Sequence, residues 1–462
     1  MLPKIGCTRT CRIGMPLILT FAACCLAPAS ASAEAPRVIK AGPDDGDQSV
    51  DPKVKELRVE FDQDMDTRGG YSFCGGGPTF PKTTGKARWK GRRTILLPIQ
   101  LEPNHSYALS INCPAAQNFR SAGGESAVPY PIRFKTRGEN ETEAAKLTPE
   151  TNRKAFAALK KALTEQYAYH DLRKLDWKKT FSDNKSKLEQ AETPIAFAKV
   201  AGKMLAPAND LHLYFRVGDV IIPTATRSVP AKMNIKSLAK AVPDWTQVND
   251  VIYTGRFNDG IGYLLIATWG PADPALLDAA YDALSDFADC EALIVDVRPN
   301  SGGDEILARN FAGCFVAKSA VYSHNQYRDP AGKDGFGKVL DRVIEPTKGR
   351  PRFRKPTAVL MGPQNMSSCE SFLLMMKQAK GCVLVGEKSW GSSGNPKPFD
   401  LGNGVTALIP SWKDLLPDGT VLEARGIEPD VAVPAKPADF EKRDPVLDAA
   451  LKHLRKTIAD GK

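Results

Sequence analysis

The chain has 462 residues, with 63 Lys and Arg against 53 Asp and Glu for a net charge of +10, and 42% of it is hydrophobic. That length bounds it to two or three domains with a large core. No Arg/Lys block interleaved with aromatics occurs, which excludes nucleic-acid recognition and leaves a solvated basic surface with some affinity for anionic envelopes. No C-x-x-C or His-x-x-x-His spacing is present either, so neither a metal nor a cofactor is expected.

Residues 1–33 read as a secretory signal. Lys4, Arg9 and Arg12 precede an apolar stretch from Met15 to Ala27, and Ala31-Ser32-Ala33 offers a small-residue cleavage site before Glu34. The stretch is too short for a comfortable membrane span, and no other run reaches the required length. Lipidation at Cys24 is the alternative, but Phe21 fits a lipobox poorly, so a soluble exported protein, periplasmic or extracellular, is preferred. Without its three basic and no acidic residues, the net charge falls from +10 to +7. The leader also holds four of the ten cysteines. Export permits disulfides, and Cys74 with Cys113 is the expected pair because both fall in one predicted domain.

Residues 36–137 read as all-β. Leu57, Val59 and Phe61 alternate with charged partners, Tyr107, Leu109 and Ile111 with small or polar ones, and Ile132 and Phe134 with basic ones. Turn-rich stretches at Gly42-Pro43-Asp44-Asp45-Gly46 and Gly75-Gly76-Gly77-Pro78 separate them, and a small sandwich follows. The segment resembles the Ig-like domains of bacterial surface proteins through Val59 to Asp66, Trp89, Leu101 to Tyr107 and Phe134-Lys135-Thr136. Docking to an envelope component is what that resemblance implies.

Beyond a polar connector, Thr148-Pro149 is a cap followed by proline at the first helical position, and Phe156, Leu159, Leu163 and Tyr167 recur at helical spacing. A second helix is predicted from Thr193-Pro194 to about Leu205. From Gly260 the pattern alternates: Ile261 to Ala267, Ala292 to Val297, Thr357 to Met361 and Cys382 to Gly386 are apolar strands with helical stretches between them. An amphipathic segment from Asp444 to Leu454 closes the chain.

Asn365-Met366-Ser367-Ser368-Cys369-Glu370 lies between the Thr357–Met361 strand and the apolar Phe372-Leu373-Leu374-Met375-Met376. A serine in that position is usually a helix cap. It also sits in the positive end of the helix dipole, where free N–H groups can bind an oxyanion, which makes Ser367 a candidate nucleophile. Val295 to Gly303 is a strand entering a Gly-Gly turn, and its N–H groups can face a substrate closely. A serine needs a base held in one tautomer by a third group. His212 in Asn209-Asp210-Leu211-His212 is one of five histidines, and composition alone does not separate it from His170 or His324.

Taken together, these segments resemble peptidase family S41, which holds the C-terminal processing proteases and the tricorn core protease. The resemblance covers residues 145–455. It rests on Asp296-Val297-Arg298 with Asn300 and Gly302-Gly303, Ser367 three residues before Glu370, Val385-Gly386-Glu387 and Gly426-Ile427-Glu428-Pro429-Asp430. Asp210 with His212, and Tyr167-Ala168-Tyr169 with Leu175-Asp176-Trp177, fit the family's helical lead-in. It implies a helical subdomain over 144–214 and an α/β peptidase domain of ClpP/crotonase-like fold over 215–462, following the Ig-like sandwich of a multi-domain chain. It also implies a protein or peptide substrate.

Where the processing-protease branch has its catalytic lysine, this chain has Ser392, and about 45 residues between Tyr214 and Gly260 leave no room for a PDZ domain. The closer likeness is to tricorn-type members with a Ser-His-Glu arrangement. It places the nucleophile on Ser367, the base on His212, its support on Glu423, the oxyanion hole on Gly302, Gly303 and Ser368, and a relay, if there is one, on Ser392. Leu211 and Leu213 stand where the family often has polar neighbours of the His. A non-catalytic binding protein on the same scaffold is the competing expectation.

Overall fold

The computed structural model describes residues 34–113, 115–138, 146–229 and 232–461, so the expected leader lies outside the described residues. Two compact units divide the chain, Met1–Thr142 and Glu143–Lys462. Among the described residues no helix is long and apolar enough to cross a membrane.

The N-terminal unit is β-rich. Its strands are β1 (Val38–Gly42), β2 (Glu56–Phe61), β3 (Phe73–Cys74), β4 (Lys82–Thr83), β5 (Arg88–Lys90), β6 (Thr94–Gln100), β7 (Ser106–Ile111) and β8 (Tyr130–Lys135). β1-β2-β6-β4, with β5 also on β6, form one antiparallel sheet and β3-β7-β8 a second. The inward residues expected from alternation, Leu57, Val59, Phe61, Tyr107, Leu109, Ile111, Ile132 and Phe134, are all buried in one core. Cys74 and Cys113 are joined, which fixes the end of β3 to the residues that follow β7.

The second unit opens with α1 (Pro149–Gln166), α2 (Trp177–Glu189) and α3 (Pro194–Leu205). Thr148 and Thr193 accept from Thr151 N and Ala196 N, with proline at the start of each capped helix, as the cap signals predict. Next come β9 (Tyr214–Val217), β10 (Val220–Pro223), α4 (Ile235–Ala241), β11 (Thr246–Gln247), β12 (Ile252–Arg256), β13 (Ile261–Ile266), α5 (Asp278–Asp286), β14 (Ala292–Asp296) and α6 (Glu305–Ala312). The rest is β15 (Ala320–Arg328), β16 (Phe336–Ile344), β17 (Thr357–Met361), α7 (Ser368–Met376), β18 (Cys382–Gly386), β19 (Pro396–Asp400), β20 (Thr406–Pro410), β21 (Trp412–Leu415), β22 (Val431–Ala432) and α8 (Pro445–Asp460).

A seven-stranded sheet in the order β11-β12-β13-β14-β17-β18-β22, parallel from β13 onward, forms the frame. Its central strands are buried on both faces, which is why they read as continuous apolar runs. Leu293, Val295, Val359 and Met361 point into the core shared with α5, α6 and α7. Ile294, Ala358 and Leu360 point into the opposite core, under α8. Each fully buried aliphatic side chain contributes about 1.5–3 kcal/mol.

The helices of residues 144–214 do not close a core alone. They share it with Leu401, Val405, Ala407 and Ile409, from the sheet β10-β9-β20-β19 and the turn between β19 and β20. One packing unit therefore crosses the division expected at 214/215. This arrangement carries the His212 loop, which precedes β9, and the loop before β19 to the same place as the C-terminal end of β17.

Candidate active site

Ser367 lies at the β17–α7 junction. Its backbone has φ 56 and ψ −132, and its side chain makes no capping bond, so the cap reading of this serine does not hold. The turn is held from below by Asn365, whose amide donates to Val297 O (2.5 Å) and Asn300 O (3.0 Å) while its oxygen accepts Gly362 N–H (2.8 Å). Ser367 N–H donates to Ser392 O at 2.8 Å. A left-handed φ at a residue with a Cβ costs on the order of 1–3 kcal/mol, and such strain gathers at functional positions.

His212 bridges two serines. Its Nε2 is 3.1 Å from Ser367 Oγ and its Nδ1 is 3.0 Å from Ser392 Oγ. The imidazole is nearly buried, whereas Ser367 is half-exposed. Backbone support for His212 comes from Asp210, whose Oδ1 accepts His212 N–H at 2.9 Å, and Leu213 anchors the loop in the core. Leu213 therefore serves packing. Burial pushes the imidazole below its ordinary value of 6.5, with the Asp210 charge opposing and Arg173 and Arg227 assisting.

Glu423 is not bonded to His212, whose two ring nitrogens face serines. Its Oε1 accepts from Arg173 Nη2 at 2.5 Å and its Oε2 from Ser393 N–H at 2.7 Å. The support expected from Glu423 thus arrives one step removed, through the residue after Ser392. Burial, and then the charge of Asp210, push the Glu423 carboxyl well above the usual range against the pull of Arg173. His170 stacks on Trp177 and His324 contacts Asp341, so neither is the ring beside Ser367. Lys388 pairs with Glu428 at the surface.

The three expected oxyanion donors divide. Gly302 N–H is spent on Asn300 Oδ1 at 2.9 Å, an interaction invisible in a Gly-Gly pattern, and this removes Gly302 as a donor. The Gly303 and Ser368 N–H groups have no acceptor among the described residues. Ser368 Oγ donates to Gly303 O at 2.7 Å, tying the turn to the start of α7. Only glycine fits at 303, where φ is 138 and a Cβ would lie 2.2 Å from Gly270 N. A Cβ on Gly302 would lie 3.0 Å from the Ser367 Cβ, so the turn abuts Ser367. A cleft of about 450 Å³ opens beside Ser367, Ser368 and Gly303, between α6 and the loop of Ser393, Asn395 and Pro396, with Trp412 against it.

Glu370, one turn into α7, holds the loop that carries Ser392. Its Oε1 accepts Ser389 Oγ (2.5 Å) and Gly391 N–H (2.7 Å), and its Oε2 accepts Ser392 N–H (3.0 Å). The carboxyl is fully buried, and that burial lifts it to about 7 despite the three donors. Its spacing from Ser367 signals it in sequence. Arg173 and Ser393 carry no such signal.

With this geometry in hand, the profile of Peptidase family S41 matches residues 260–433. The carboxy-terminal processing proteases CtpA and CtpB of Bacillus subtilis are 26% identical over 202 residues and 24% over 186. These matches cover 43% and 40% of this chain and 40% and 36% of theirs, so the chain spans about two fifths of the length of those relatives. A solved structure from Parabacteroides merdae, presented as that of a candidate peptidase, superposes with a TM-score of 0.57 at 23% identity, over 67% of this chain and 97% of that one. That likeness is one of fold.

Proposed function

We propose, from the premise that this chain belongs to peptidase family S41, that it is an exported serine peptidase cleaving protein or peptide substrates with Ser367 as nucleophile and His212 as base. The observation that carries the reading is the 3.1 Å contact between His212 Nε2 and Ser367 Oγ, within reach for direct proton transfer. Ser367 Oγ attacks the peptide carbonyl carbon, and its proton passes to Nε2. For Nε2 to accept, Nδ1 must carry the other proton and donate it to Ser392 Oγ, so Ser392 supports the productive tautomer. Gly303 and Ser368 N–H groups bind the oxygen that becomes negative. His212 then returns the proton to the leaving amine nitrogen, and water, deprotonated by the same ring, hydrolyses the acyl-serine.

The low pKa of His212 suits this role, because a neutral imidazole is present at pH 7. A serine with a hydrogen-bonded base also disfavours the pure binding-protein reading. The β-rich unit of residues 34–138 is assigned the docking role implied by its Ig-like resemblance, toward an envelope component. Ser367→Ala tests the catalytic reading. Hydrolysis of an unfolded casein should fall to background, a loss on the order of 10⁶ in kcat, with the melting temperature nearly unchanged and fluorophosphonate labelling abolished. Wild-type hydrolysis persisting in the variant refutes the assignment.

A further inference from the structure

We propose that Arg173 is a positioning residue for the Ser367–His212 pair, an inference that rests on the serine-peptidase reading above. Arg173 lies in the turn between α1 and α2, with its side chain only 8% exposed. Its Nη2 is 2.9 Å from Asp210 Oδ2 and 2.5 Å from Glu423 Oε1, and its Nε donates to Tyr167 OH at 3.0 Å. Tyr167 OH in turn donates to Asp210 Oδ2 at 2.7 Å.

The far oxygen of each carboxylate faces the catalytic group. Asp210 Oδ1 takes the N–H of His212, and Glu423 Oε2 takes the N–H of Ser393, next to Ser392. Both partners of the Nδ1···Ser392 contact are therefore suspended from carboxylates that meet on one guanidinium nitrogen. The two segments are otherwise far apart in sequence, one before β9 and the other before β19. A planar fork with several donors can hold Asp210, Glu423 and Tyr167 in fixed directions at once, which a lysine ammonium on a flexible stem cannot. Arg173 does not line the cleft beside Ser367, so it acts on the ring's orientation and not on substrate binding.

The charge balance fits the same role. The Asp210 carboxylate behind the imidazole favours the positive charge His212 gains on taking the serine proton, and the Arg173 guanidinium tempers that pull while holding Asp210 in place. Full removal of Arg173 leaves two buried carboxylates facing each other, which threatens the fold. Arg173→Lys keeps the charge and removes the fork, and is the variant of choice.

The test uses the full chain with ¹⁵N-labelled histidine. The wild-type His212 ring should show one tautomer, protonated at Nδ1. In Arg173→Lys that tautomer should give way to a mixture, fluorophosphonate acylation of Ser367 should slow by roughly tenfold or more, and KM for a peptide substrate should stay unchanged. A variant that folds, acylates within about twofold of wild type and keeps the single tautomer overturns the proposal. So does a loss confined to KM or to melting temperature. Should Arg173→Lys not fold, Glu423→Gln loosens the same clamp from the other side and takes the same measurements. Wild-type protein inert to fluorophosphonate marks failure of the serine-peptidase reading itself, and the tautomer measurement still decides whether Arg173 orients the ring.

Discussion

Glu370→Gln tests whether the loop bearing Ser392 hangs on a buried carboxyl group. In the folded chain this group titrates near 7, against an ordinary 4.5, because burial outweighs the Ser389, Gly391 and Ser392 donors. A carboxyl whose folded pKa lies above its unfolded one binds more protons in the native state between those values. Its contribution to stability is therefore greatest below about 4.5 and is lost as pH rises toward 7. At 1.36 kcal/mol per unit, the loss across that window is on the order of 3 kcal/mol. A glutamine at this position is neutral at every pH and lacks the slope. Its oxygen can keep the Ser389 and Gly391 bonds, while its NH₂ meets the Ser392 N–H, at a pH-independent cost of about 1–3 kcal/mol. Urea denaturation of both proteins at pH 4.5, 5.5, 6.5 and 7.5, following the C-terminal unit, reads the difference directly and cancels every other titration. Relative to wild type, the variant should gain about 3 kcal/mol from the lowest pH to the highest. A difference that stays flat, or moves the other way, refutes the account of Glu370.

Ser367→Gly should raise stability by about 1 kcal/mol in calorimetry while abolishing acylation, since glycine relieves the positive φ and removes the nucleophile; a loss of stability contradicts the strain. Ser392→Ala should slow acylation by about tenfold to a hundredfold with KM unchanged, because Nδ1 loses its acceptor. A loss equal to that of Ser367→Ala instead makes Ser392 an obligatory relay, and no loss removes it from the site. The acid limb of kcat/KM should fall at a pH below 6.5, because the base must be neutral and burial has depressed it. The same depressed histidine contributes stability that is present above 6.5 and lost as pH falls through its folded value. An inflection above 6.5 is incompatible with the His212 environment.

Elements whose signals are local were legible in the sequence. Alternation located β2, β7 and β8, unbroken apolar runs located β13, β14, β17 and β18, and Thr-Pro caps located α1 and α3. The sheet β10-β9-β20-β19 was not legible, because β9 finds β20 nearly two hundred residues later and no local pattern encodes that pairing. α2 buries only Phe181 and Leu188, too few for a clear apolar stripe. At the site, the meeting of Ser367 and His212 could be expected from motif order. The expected Glu423–His212 contact is replaced by one from Ser392, because a motif fixes chain position and not which of two adjacent groups, Ser392 or Glu423, reaches the ring. Gly302 failed as a donor for a similar reason, its N–H being taken by Asn300 two residues earlier.

A serine at position 392 is coherent with the rest of the site. A lysine acting as base must be buried and neutral, at a desolvation cost that its surroundings have to arrange. Here position 392 holds a small hydroxyl on the imidazole, and the proposed base, His212, comes from a different segment with its pKa already lowered by burial. That arrangement places the structural burden on a convergence of two loops. The convergence is held by Glu370 under the Ser392 loop and by Arg173 between Asp210 and Glu423. A site of this kind should be as sensitive to changes at the residues that fix loop geometry as to changes at Ser392 itself. Its weakest joint is therefore a set of buried acids and one arginine, none of which touches the substrate cleft.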